Sequence, residues 1–146
     1  MLLTDHFTDK ELGVEECDSR IIQNAFYICK VLLEPIRDKF GPVSVHDGYR
    51  PPAHNKDVGG KPTSYHLFTD SKSAADISIP GHTLQEVFDW IRLESELPFD
   101  KVILESNQAG APACIHLQVD SENQPRRLAY TGHTGDGLSY VNVIVH

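Results

Sequence analysis

The sequence predicts an α+β fold, with helices in separate blocks set against a small, mainly antiparallel sheet. Three observations lead there. Apolar residues recur at helical spacing in two blocks, around 19–40 and 83–94. Short alternating segments lie between and after those blocks, several joined by turn-rich stretches short enough for hairpins. The length of 146 residues suits one domain spanning 1–146 with a single hydrophobic core.

After a short turn opened by Thr8, the first strong element runs from about Ser19 to Phe40. Ile21, Ile22, Ala25, Phe26, Cys29, Leu32, Leu33, Ile36 and Phe40 make one apolar face. Asp18 or Ser19 can cap its start and Gly41-Pro42 ends it, while Pro35 predicts a kink or break near Glu34. Residues 42–47 alternate as a strand. Residues 51–73 form a long polar loop with one helical turn around 53–58, and loops of that length are usually functional. A strand at 74–79 precedes a helix from about Thr83 to Glu94, where Thr83 and Glu86 make a capping-box pattern and Leu84, Val87, Phe88 and Ile91 the buried stripe. Strands at 101–105 and 114–119 follow. The tail adds strands near 127–131 and 140–145, with a Gly-rich turn between them.

Composition narrows the function. A net charge of −8 and scattered basic residues argue against nucleic acid or an anionic membrane as partner, and the adjacent Arg126 and Arg127 read as a solvated strand edge. No stretch approaches the roughly 20 apolar residues of a membrane-spanning helix. The acidic start, MLLTDHFTDKELGVEE, lacks the apolar run of a secretory signal. Cys17, Cys29 and Cys114 have no C-x-x-C spacing, so a reducing cytoplasm is the expected setting; Cys29, on the helical stripe, reads as a buried small hydrophobe.

The chemistry gathers on two strands. In 114–119, alternation puts Ile115, Leu117 and Val119 on one face and His116 on the other, with Cys114 and Gln118. In 74–79, Ala75, Ile77 and Ile79 face one way and Asp76 the other, with Ala74 and Ser78. Each strand thus has an apolar face to bury and an opposite face carrying one good metal ligand. His66, at the end of the long loop, is a third candidate. Two histidines and a carboxylate leave a fourth tetrahedral position for water, the arrangement of a catalytic zinc. Spacing alone does not select these three from a chain with eight histidines.

A resemblance adds to that choice. Gly48-Tyr49-Arg50, then Val58-Gly59-Gly60, then Ser64-Tyr65-His66, then Ala74-Ala75-Asp76, with Ile115-His116-Leu117-Gln118 late in the chain, resemble the ordered motifs of zinc D-Ala-D-Ala carboxypeptidases and L-Ala-D-Glu endopeptidases, a peptidase M15-like family with the hedgehog/DD-peptidase fold. The resemblance covers about 42–131, and Arg126-Arg127 look like short phage-type members. It implies that His66, Asp76 and His116 hold Zn2+, that Arg50 stabilises the oxyanion, and that Ser64 binds substrate or fixes the His66 loop. The residues themselves equally allow Arg50 to pair with Asp47 or Asp57. The implied substrate is an amide bond next to a D-amino acid in a peptidoglycan stem peptide.

The chain departs from the family pattern twice. Asp76 follows His66 by ten residues, three more than usual, an excursion that a bulge in 68–73 can absorb. Ala113 stands where many members carry the general base three residues before the last histidine. Glu105, at the end of the preceding strand, is the expected base, with Asp47 in reserve. The competing expectation is a catalytically silent zinc-binding module of the same fold, acting in cell-wall or protein interaction. A cysteine hydrolase built on Cys114 and His116 is disfavoured, because same-face neighbours on a strand stand roughly 6.6 Å apart and point in parallel. The remaining expectations are a monomer and, by analogy with phage-type members, a product held in the cytoplasm until lysis.

Overall fold

The structure, a computed structural model, describes residues 1–134 and 139–146. The Gly-rich turn expected before the last strand falls at 135–138, outside the described residues. A six-stranded sheet is packed on one face by helices, an α+β architecture as the sequence predicts. In chain order the elements are α1 (Asp9–Leu12), α2 (Ser19–Ile28), α3 (Glu34–Phe40), β1 (Ser44–Asp47), α4 (Pro52–Asp57), β2 (Lys72–Ser78), α5 (Leu84–Asp89), β3 (Lys101–Ser106), β4 (Pro112–Asp120), β5 (Leu128–His133) and β6 (Val141–Val143).

The helices begin where side chains satisfy free backbone N–H groups. Thr8 and Thr83 each form a reciprocal capping box, with Glu11 and Glu86, and the Asp18 carboxylate accepts from the Ile21 amide. The proline in the long helix acts one turn earlier than the sequence suggests. Pro35 has no N–H to offer and its ring crowds the carbonyl four residues back. The chain widens over Cys29–Leu33 into a π-type turn, with the Glu34 amide bonding the Cys29 carbonyl, and α3 continues beyond it. A similar wide turn, Trp90–Glu94, closes the helix begun by α5, where the Ser95 amide bonds the Trp90 carbonyl.

The sheet order is β1-β2-β4-β3-β5-β6. Every neighbouring pair is antiparallel except β3 and β5, which run parallel. One face carries Ala75, Ile77, Val102, Leu104, Ile115, Leu117, Val119 and Ala129 into a core shared with Ile21, Ala25, Ile28, Leu32, Leu33 and Ile36 from the long helix and Val87, Phe88 and Ile91 from the second. Among the described residues no helix is long and apolar enough to cross a membrane.

Two packing details position the site. Gly48 lies so close to the first turn that an added Cβ would sit 2.5 Å from the Leu12 carbonyl oxygen, and the Tyr49 amide donates to that same oxygen at 2.8 Å. The three-residue excursion after His66 is absorbed at Phe68 and Asp70, both with positive φ. Arg20 and Asn24, from α2, donate to the carbonyls of both residues, and the fully buried Phe68 ring packs edge-on against Tyr49. These four bonds tie a strained bend to a rigid helix. Gly48→Ala is expected to cost about 1–3 kcal/mol, since backbone atoms must shift to admit the methyl; an unchanged urea midpoint would remove the close-approach argument.

Candidate metal centre

On the sheet face away from the helices, the register aligns Asp76 of β2, His116 of β4 and Ile103 of β3 in one row. The Asp76 and His116 side chains meet there, with His116 Nδ1 3.0 Å from Asp76 Oδ1. His66 reaches the same carboxylate oxygen from above, its Nε2 at 3.3 Å. The two imidazoles lie edge to face with centroids 5.1 Å apart. One donor atom from each residue falls within 4.8 Å of the other two, so His66, Asp76 and His116 can hold a metal ion. Both histidines are buried and Asp76 is nearly so.

The His66 loop is fixed by the segment that follows β1. His66 Nδ1 lies 2.7 Å from the Gly48 carbonyl oxygen, which can only accept, so Nδ1 carries the proton and Nε2 turns its lone pair to the centre. The Arg50 amide donates to the His66 carbonyl at 2.7 Å, and Ser64 Oγ accepts from the His66 amide at 3.2 Å, capping the tight turn Tyr65–Leu67. Ser64 therefore fixes the His66 loop, while also lining the cleft above the centre.

Charge in the site is shared unevenly. Burial disfavours an ionised Asp76, but hydrogen bonds and the charges of His116 and His66 outweigh it and hold the carboxyl well below its usual range. Burial likewise disfavours charge on His116, yet Asp76, then Gln118, raise its pKa. A cation held at His116 Nδ1 takes the place of a proton shared there with Asp76.

Glu105 lines the same cleft, two residues along β3 from Ile103 on the same face and opposite Cys114. Three side chains surround it. The Tyr140 hydroxyl lies 3.2 Å from Oε1, Thr134 Oγ1 3.3 Å from Oε2, and the Cys114 thiol 3.9 Å from Oε2. Tyr140 reaches this position by packing against Gly132, where an added Cβ would sit 1.8 Å from its ring. Burial first, then the carboxylates of Asp76 and Glu105, push the Cys114 thiol far up, so it stays protonated and is a poor nucleophile.

Arg50 lies on the opposite wall. Nη2 bonds Asp47 at 2.5 Å and Nη1 bonds Asn55 Oδ1 at 2.9 Å, while the buried Nε has no hydrogen-bond partner among the described residues. The pairing with Asp47 is one the sequence allows, and it leaves Asp47 bound to Arg50. Gly60 makes room for the Arg50–Asn55 contact, since a Cβ there would meet both side chains.

The Arg126-Arg127 pair is only partly the solvated edge suggested by the sequence, since Arg126 stays half exposed but both side chains are bound. Arg126 forks onto both oxygens of the buried Asp100, at 2.6 and 2.7 Å, and Arg127 donates to the carbonyls of Leu97, Ser95 and His146 while stacking over Phe99. Sequence reasoning also missed Thr134 and Tyr140, because nothing near Tyr140 in the chain hints that it folds back to Glu105.

The family model described as Peptidase M15 matches residues 5–109. That span contains Arg50, His66, Asp76 and Glu105 and ends before His116. Among curated proteins, none matches the chain.

Because a metal at His116 Nδ1 must displace the proton shared there with Asp76, metal affinity should weaken as pH falls. The decline should begin above the ordinary histidine value of about 6.5 and approach about tenfold per pH unit. Competition with a chromophoric chelator across pH 5.5–8.5 measures this, and a flat profile would contradict it. Cys114→Ser should leave zinc content unchanged by elemental analysis, whereas a drop would make the thiol a ligand.

Proposed function

We propose that this chain, which belongs to the peptidase M15 family, is a zinc-dependent peptidase that cleaves an amide bond next to a D-amino acid in peptidoglycan stem peptides. The family implies a metallopeptidase acting on peptides, and its members are typically zinc-dependent. The single observation that carries the metal reading is the convergence of His66, Asp76 and His116 beneath an open cleft. The donor set suits zinc, with two imidazoles, one carboxylate and space for a fourth ligand. The tautomer fixed on His66 fits as well. The substrate reading is supported by the order of Gly48-Tyr49-Arg50, Val58-Gly59-Gly60, Ser64-Tyr65-His66 and Ala74-Ala75-Asp76, shared with D-Ala-D-Ala peptidases.

Zinc held by these residues would supply Lewis-acid polarisation of an amide carbonyl and make water a stronger acid. The chain's own groups supply the remaining steps. The peptide lies in the cleft between the Gly59–Ser64 wall and Tyr140. Glu105 accepts a proton from the attacking water and returns it to the leaving amine nitrogen, so that one carboxylate serves both halves of the hydrolysis. Tyr140 and Thr134 donate to Glu105 and hold it at the cleft floor. Arg50, which lines the cleft, offers its positive charge to the oxygen on which negative charge develops, while Asp47 and Asn55 keep the guanidinium plane fixed.

Ala113, where many relatives carry the base, favours a second reading in which the site binds zinc without catalysing hydrolysis. One experiment separates the two. The purified chain should contain about one zinc, lost or sharply weakened in His66→Ala, Asp76→Ala and His116→Ala. The zinc-loaded protein should release D-alanine or a cleaved stem peptide from peptidoglycan fragments. Glu105→Gln should keep its zinc and lose activity by about 100-fold or more. Zinc with no hydrolysis of any stem peptide supports the silent module. No zinc after reconstitution sinks both.

A further inference from the structure

The metal-centre reading accounts for the centre itself but not for a buried chain of polar groups leading away from it. Gln118 follows His116 on the same strand face, and its Oε1 lies 2.9 Å from His116 Nε2. Gln118 Nε2 donates to Asp100 Oδ2 at 2.7 Å. Asp100 takes the Arg126 fork on both oxygens, at 2.6 Å from Nε and 2.7 Å from Nη2. Its backbone is pinned too, its amide bonding the Gln118 carbonyl at 2.8 Å and its carbonyl accepting from the Leu128 amide at 3.0 Å. Asp100 and Gln118 are 4% and 6% exposed, so water does not compete for these bonds.

The direction of this chain follows from donor and acceptor capacity. An amide side chain can turn either end toward a neighbour, and an imidazole can carry its proton on either nitrogen. A carboxylate filled by an arginine fork can only accept. Asp100 therefore takes the NH2 end of Gln118, which leaves the carbonyl end facing His116. That carbonyl can only accept, so His116 must donate from Nε2, and its Nδ1 lone pair is left for the centre beside Asp76. His66 is held in the opposite sense by the Gly48 carbonyl and presents Nε2.

We propose that Asp100 and Arg126, acting through Gln118, are positioning residues that set the tautomer of His116 and so make its Nδ1 a metal ligand. This rests on the metal-centre reading above. Arg126 is ten residues beyond His116, and its guanidinium is half exposed, yet it controls a buried ring through two intervening side chains.

The test exchanges donors and acceptors along the chain. Asp100→Asn gives Gln118 a neighbour that can donate as well as accept, freeing the amide to turn. Zinc affinity, measured by chelator competition on protein whose circular dichroism is unchanged, should fall about 10- to 100-fold. Proton–nitrogen spectra of histidine-labelled, zinc-loaded protein should show a protonated Nε2 on His116 in the wild type and lose that single state in Asp100→Asn. The double variant Asp100→Asn/Gln118→Glu restores the pattern, because the new carboxylate accepts from both neighbours, and it should recover most of the affinity. Arg126→Met, milder because the side chain is half exposed, should weaken zinc in the same direction. Unchanged affinity and an unchanged His116 signal in Asp100→Asn overturn the proposal, as does a loss that the double variant fails to rescue, which marks a merely structural role. A wild-type chain that takes up no zinc overturns the metal-centre reading and this inference with it.

Discussion

Asp76 and His116 face each other across β2 and β4, and a slip of one residue in that pairing would turn one of the two side chains toward the helices. The apolar face prevents the slip. Ala75, Ile77, Ile115, Leu117 and Val119 are buried against α2, α3 and α5, and exposing them would cost far more than any polar contact on the other side could return. Core packing thus holds the site in register from the opposite face of the sheet. The same alternation places Ile103, Glu105 and Gln118 on the cleft face in adjacent rows, so the sheet fixes the spacing between the candidate ligands and the candidate base.

His66 lies outside that sheet and needs its own support. It makes three hydrogen bonds: its Nδ1 donates to the Gly48 carbonyl, its amide donates to Ser64 Oγ, and its carbonyl accepts from the Arg50 amide. Gly48 is pressed against Leu12 of the first helical turn, so the N-terminal segment, remote in sequence, sets the height of the carbonyl that orients His66. Beyond His66, Arg20 and Asn24 anchor the bend at Phe68 and Asp70, so the longer connection to Asp76 leaves the donor atoms together. The site stands where three separately braced segments meet.

The polar surroundings divide the work between the two walls. Arg50 is held by Asp47 and Asn55 on one side, and Glu105 by Tyr140 and Thr134 on the other. A guanidinium and a carboxylate kept apart by the centre retain opposite charge in one cleft, where pairing with each other would cancel both. Holding each with short neutral or charged partners restricts its rotamers in advance, which is what positioned catalysis requires.

Much of this was legible in one dimension. Local periodicity gives the two helical blocks, the strand faces of His116 and Asp76, and the capping box at Thr83, because each depends on neighbours within a few residues. The ordered motifs around Arg50, His66 and Asp76 carry the family, because they lie close together in the chain. Pairing across long sequence distances was not legible. The parallel match of β3 with β5, the return of Tyr140 onto Gly132 beside Glu105, and the clasp of Arg126 on Asp100 each join segments whose local pattern says nothing about the partner. Arg126 reads as a solvated cation in sequence because a charge on a polar tail ordinarily is one. Residue types and spacing set which side chains could serve, whereas strand order and close backbone approach, which arise only when the whole core is buried at once, settled which of them meet.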